Sequence, residues 1–128
     1  MSRQAIYGFG LNTIEALKLN SICSMNKVEL CKLIKPNMIT LKLEEIIEGK
    51  EADIEIEEDI EIPNEKVILF NGFSNNELNK VITDIRKIPE LRGAIMAVVT
   101  ETSKTWELKY LIGHLAEERE RFRQAEKK

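Results

Sequence analysis

The strongest constraint on this chain is a pattern that occurs twice: an apolar run closed by glycine, an amphipathic stretch, then a second apolar run. In the C-terminal half, KVILFN (66–71) is apolar and ends at Gly72, which suits a buried strand. Ser74 or Asn75 can cap the next segment, where Leu78, Val81, Ile82 and Ile85 follow the i, i+3, i+4, i+7 spacing of a helix. Pro89 ends or kinks that helix. Residues 94–100 (AIMAVVT) are apolar without alternation, as in a strand covered on both faces. Thr102, Ser103 or Thr105 then caps a long last helix, with Leu108, Leu111, Ile112, Leu115 and Phe122 facing inward. The first half repeats the order more weakly, with strands near 4–8 and 28–34 and helices near 11–22 and 39–48. Such alternation predicts an α/β layered sheet built from two pseudo-repeated β-α-β-α halves.

The halves also align. Gly8-Phe9 falls on Gly72-Phe73; with one residue of slippage VELCKLI (28–34) falls on GAIMAVV (93–99), and Thr40, Leu43 and Ile47 fall on Thr105, Leu108 and Ile112. Charge marks the boundary between them. Residues 1–49 carry +1, residues 50–65 carry −7 and residues 66–128 carry +3, within a net charge of −3. The expected organisation is therefore a first repeat (1–49), an acidic connector (50–65) and a second repeat (66–128) in one compact domain. Within the connector, Ile54, Ile56, Ile60 and Ile62 alternate with Asp53, Glu55, Glu57, Asp59 and Glu61. That period of two predicts an acidic edge strand, its charges blocking edge-to-edge aggregation.

The stretch from Lys66 to Arg123 resembles a small bacterial family, domain-of-unknown-function family 3783. The features that carry the likeness are VILFNGFSNNEL, an apolar strand ending in Gly-Phe with a polar cap, and AVVTETSKTWELKYLI, a Thr-led turn into a Trp-x-Leu-x-x-Leu-Leu pattern with Ile112 as its last residue. The likeness implies a bacterial, cytoplasmic protein and carries no assigned chemistry.

Candidate chemistry is sparse. Gly8-Phe9-Gly10, and Gly72-Phe73-Ser74 in the second half, could cradle an anion at a helix start, although position 13 is Thr and the G-x-G-x-x-G spacing fails. The plainer reading is that glycine permits a tight turn. Cys23 and Cys31 are spaced like buried reduced thiols rather than a metal or disulfide motif. His114, the only histidine, flanks the polar side of its helix, where a catalytic partnership with a cysteine is the remote alternative. Trp106, Tyr110 and Gly113 share the face opposite the Leu108–Leu115 stripe and suggest a partner surface, against the bland reading that the aromatics cover their own fold.

The mixed charges of the C-terminal tail disfavour nucleic acid. The longest apolar run, Ala94 to Val99, is too short to span a bilayer, and no signal-peptide pattern opens the chain. The expectation is a cytoplasmic, non-catalytic interaction module with no cofactor or metal, acting as a homodimer or on a further protein partner. The alternative is a small enzyme or anionic-ligand binder using the Gly-Phe turns.

Overall fold

The computed structural model describes residues 4–49 and 64–126; the alternating acidic stretch and its expected edge strand lie outside the described residues. The elements are β1 (Ala5–Phe9), α1 (Thr13–Met25), β2 (Leu30–Ile34), α2 (Leu43–Ile47), β3 (Val67–Asn71), α3 (Asn75–Arg86), β4 (Ile95–Val98) and α4 (Leu108–Glu126). They fall into two compact units, each drawing on both halves of the chain. One joins the described residues up to Ile34 with Lys66–Val99; the other joins Lys35 to Glu65 with the residues from Thr100 onward.

The first unit is an α/β sheet of order β2-β1-β3-β4. Each outer pair is parallel, β1 with β2 from Ala5↔Leu30 to Phe9↔Ile34 and β3 with β4 from Val67↔Ile95 to Phe70↔Val98. A parallel pair requires a crossover, which α1 and α3 supply. The middle pair is antiparallel, Ala5 facing Asn71, Tyr7 facing Leu69 and Phe9 facing Val67. All of β1, and β3 from Val67 through Phe70, is buried. Ile6, Ile68 and Phe70 form the sheet side of a core closed by Leu19, Ile22 and Cys23 of α1 and by Val81 and Ile85 of α3.

Both crossover helices start in the same way. Gly10 (φ +74°) and Gly72 (φ +83°) turn the chain in the left-handed region, and Asn12 and Ser74 then accept from the backbone N–H of Glu15 and Glu77 in reciprocal capping boxes. The glycine equivalent to Gly72 is therefore Gly10, not Gly8. Gly8 instead lies inside β1, where a Cβ would come within 2.8 Å of Leu11 Cδ1 and 3.3 Å of Leu19 Cδ2. Further along, the offset between the halves grows by three residues rather than one, at the 3₁₀ turn Pro89–Leu91 that precedes β4. Apolar class alone tolerates such a shift, because neighbouring residues in buried strands are all hydrophobic.

β4 also departs from expectation. Among the described residues it forms an edge of the four-stranded sheet, with Val98 51% exposed and its other residues half-buried, so its continuous apolar character does not reflect cover on both faces.

In the second unit the starts of α2 and α4 face one another. Lys42 and Glu107 form an antiparallel bridge; the Leu43 N–H donates to the Trp106 carbonyl and the Leu108 N–H to the Leu41 carbonyl, both at 2.9 Å. The Lys109 N–H donates to Ile39. The first N–H groups of a helix have no partner within it, and here opposing backbone carbonyls supply one. This explains why none of Thr102, Ser103 and Thr105 caps α4: Ser103–Thr105 form a 3₁₀ turn, and the helix begins at Leu108. Met38, Ile39, Leu43, Ile46, Leu108, Leu111 and Ile112 are buried. Leu115 is half-buried, while Phe122 is 72% exposed rather than inward. Arg119 grips Glu65 with two 2.8 Å bonds.

The strand order predicts unequal costs for trimming large side chains. Phe70→Ala should cost about 3–5 kcal/mol in chemical denaturation, and Val98→Ala less than about 1 kcal/mol. Equal losses would contradict an edge position for β4.

Candidate functional site

Three places carry candidate site residues: the glycine turns, the outer face of α4 and the side of α1 facing β2. Because β1 and β3 are antiparallel, Phe9 and Asn71 end their strands at opposite ends of the sheet, and the turns at Gly10 and Gly72 leave in opposite directions. No single cleft can hold Gly8, Phe9 and Gly10 together with Gly72, Phe73 and Ser74.

Each helix start is moreover filled by the chain's own carboxylate. Glu15 accepts from the Asn12 N–H at 2.9 Å and also binds Lys66, whose ammonium meets a carboxylate only 4% exposed. Burial pushes the Glu15 carboxyl up, but the Asn12 N–H and Lys66 together outweigh it and hold the group below its ordinary value. Glu77 accepts from the Ser74 N–H at 3.2 Å and from the Gln4 amide, and these bonds, Ser74 first, hold its carboxyl low as well. An incoming anion would meet a negative charge where the free N–H groups of an empty helix start would attract it.

The face of α4 is built differently. Trp106, in extended backbone just before the helix, lies edge-on to both Tyr110 (5.1 Å, 87°) and His114 (5.4 Å, 79°). His114 is half-buried against that indole, and its Nε2 lies 3.1 Å from Glu118. The sequence placed it on the polar flank; the reach of Trp106 back along the helix is what the wheel could not show. Lys109, Tyr110, Gly113, His114 and Glu117 line a shallow hollow of about 370 Å³. Tyr110 is 60% exposed, and a Cβ at Gly113 would meet nothing within 4 Å.

Beside α1, the third place escaped the sequence reading. Thr13, Ala16, Leu17, Asn20, Cys31 and Leu33 line a groove of about 390 Å³. Its signal was present but weak: α1 carries exposed Ile14, Leu17 and Met25 in addition to its buried Leu19, Ile22 and Cys23, so its apolar residues are not confined to one stripe.

Among the described residues, no three His, Cys, Asp or Glu side chains cluster as a metal site, and no helix is long and apolar enough to cross a membrane.

The fold thus defines an α/β protein in which two β-α-β crossovers share one mixed sheet. Its second half, residues 66–122, matches the family described as Domain of unknown function (DUF3783). The match runs from the start of β3 to Phe122 in α4 and so covers a little under half of the chain. No curated protein and no solved structure matches the chain.

The Glu15 arrangement makes a pH prediction. Its carboxyl ionises more readily folded than unfolded, so the stabilisation is present above the ordinary carboxylate range (about 4.3) and is lost as pH falls through the lower folded value. Glu15→Gln should cost about 1–2 kcal/mol in urea unfolding at pH 7, with the gap to wild type narrowing by about pH 3. A gap that widens in acid would contradict it.

Proposed function

We propose that the chain is an internally duplicated, non-catalytic interaction module that pairs with a second copy of itself through the outer face of α4. The observation that carries this reading is the symmetry of charge about Gly113. Lys109 precedes it by four residues and Glu117 follows it by four, and all three line the same hollow.

If two α4 helices cross antiparallel with Gly113 at a twofold axis, Lys109 of each copy falls opposite Glu117 of the other. Tyr110 then falls opposite Ala116, a small residue. A glycine at the crossing lets the backbones approach, since no side chain of the chain's own fold lies near its Cβ position. A twofold contact uses one patch twice, and a patch bearing both signs of charge in mirrored order is self-complementary. Lys109 also lies 3.7 Å from Glu107, but such an exposed ion pair is weak and competes little. Against the enzyme or anion-binder alternative stand the opposed turns and the carboxylates that already occupy both helix starts.

Sedimentation across a concentration series tests the reading. Wild type should dimerise, and Lys109→Glu or Glu117→Lys alone should weaken the dimer about tenfold or more, by opposing like charges. The double variant carrying both changes should regain most of that loss, and Gly113→Leu should abolish pairing. A wild type that stays monomeric, or a dimer indifferent to all four variants, would overturn it.

A further inference from the structure

We infer that Cys31 and Cys23 form a thiol pair that a hydroperoxide entering the groove beside α1 converts into an intramolecular disulfide, with Cys31 reacting first and Cys23 resolving it. Both cysteines are free thiols. Cys31 sits on β2, an edge strand, is partly exposed and lines the groove between Leu17 and Leu33. Cys23 lies near the end of α1, 3% exposed, in the core with Ile6 and Ile22, and Cys31 packs against that same cluster.

The connection between α1 and β2 is what brings them together. Lys27 adopts a positive φ of +56°, and the Val28 N–H donates back to the Cys23 carbonyl at 2.9 Å, so the chain reverses within a few residues of the helix end. Cys31 lies opposite Ile6 in the β1–β2 ladder, and Ile6 shares its core cluster with Cys23. One member of the pair thus faces solvent through a groove and the other is held behind it, the placement required of an attacking and a resolving cysteine.

The order of reaction follows from their surroundings. The hydrogen bond from Cys23 eases ionisation of Cys31, with burial opposing, whereas the same bond and then burial push the Cys23 thiol up. Cys31, reached through the groove while Cys23 is buried in the core, is therefore the member that a peroxide meets first. The Cys31 thiolate attacks the distal oxygen of the hydroperoxide; the S–O bond forms, the O–O bond breaks, and the alkoxide or hydroxide released takes up a proton as alcohol or water. Cys23 then loses its proton and attacks the Cys31 sulfur; the S–S bond forms, the S–O bond breaks, and hydroxide leaves with that proton as water. Two thiols are oxidised by one electron each, and the peroxide takes up both.

The test uses the full chain and hydrogen peroxide, read by intact mass and peptide mapping after quenching with an alkylating agent. Wild type should lose the mass of two hydrogens, yield a peptide linking Cys23 to Cys31, and return to the starting mass with a reductant. Cys23→Ser should stop at a sulfenic acid on Cys31 that dimedone traps. Cys31→Ser, checked by circular dichroism to be folded, should consume peroxide at least tenfold more slowly. Both thiols remaining fully alkylatable, oxygen addition to wild type without a link, or linkage only between separate molecules would overturn the proposal. If either variant fails to fold, the wild-type peptide map decides alone.

Discussion

The antiparallel pairing of β1 with β3 is the constraint on which the rest of the sheet depends. Within each half the strands are parallel, so each half is a β-α-β crossover that could in principle extend into a longer parallel sheet. Joining the halves through Tyr7 opposite Leu69 reverses one against the other. Ligand crevices in open α/β sheets lie outside the C-terminal ends of the strands, where neighbouring connections diverge. Here the C-terminal ends of the two central strands point away from each other, and that geometry removes the shared crevice. The same pairing buries the centre of the sheet, with β1 and Val67 to Phe70 of β3 close to fully covered, and among the described residues leaves β2 and β4 as its edges.

Helix starts in this protein are closed in two physically distinct ways. In the first unit, α1 and α3 are closed by side chains, Asn12 with Glu15 and Ser74 with Glu77. In the second unit, α2 and α4 exchange backbone groups, Leu43 with Trp106 and Leu108 with Leu41, and at α2 Glu45 also accepts from the Lys42 N–H. Both solutions satisfy donors that a helix cannot satisfy internally, and neither leaves a row of open N–H groups for a ligand. Two surfaces open to recognition are side-chain faces: the aromatic ridge of α4 and the groove against α1.

How much of this was legible in the sequence depended on whether the cause was local. The apolar runs 66–71 and 94–100, the helix with Val81 and Ile85 inward, and a cap at Ser74 or Asn75 are written in the sequence; the structure has strands at 67–71 and 95–98 and takes Ser74 as the cap. Matching Gly8-Phe9 to Gly72-Phe73 makes Gly8 the turn glycine; only strand pairing shows that it lies within β1 and that Gly10 makes the turn. The start of α4 was misread because its cap is a carbonyl from a segment far away in sequence, while Thr102, Ser103 and Thr105 offered conspicuous side-chain candidates nearby. Helical phase puts Phe122 in the core, yet phase says nothing about where a packed neighbour ends, and the ring is exposed. The contact of Cys23 with Cys31 was invisible for the same reason: it depends on how tightly the chain turns at Lys27.

Native-state hydrogen exchange tests the organising role of the central pair most directly. If the β1–β3 ladder joins the two halves into one cooperative sheet, the amides of β1 and β3 should be the slowest in the chain and should share one opening free energy equal to that of global unfolding, while those facing outward on β2 and β4 exchange sooner. Separate opening energies for the β1-α1-β2 and β3-α3-β4 halves, each half exchanging without the other, would contradict this account.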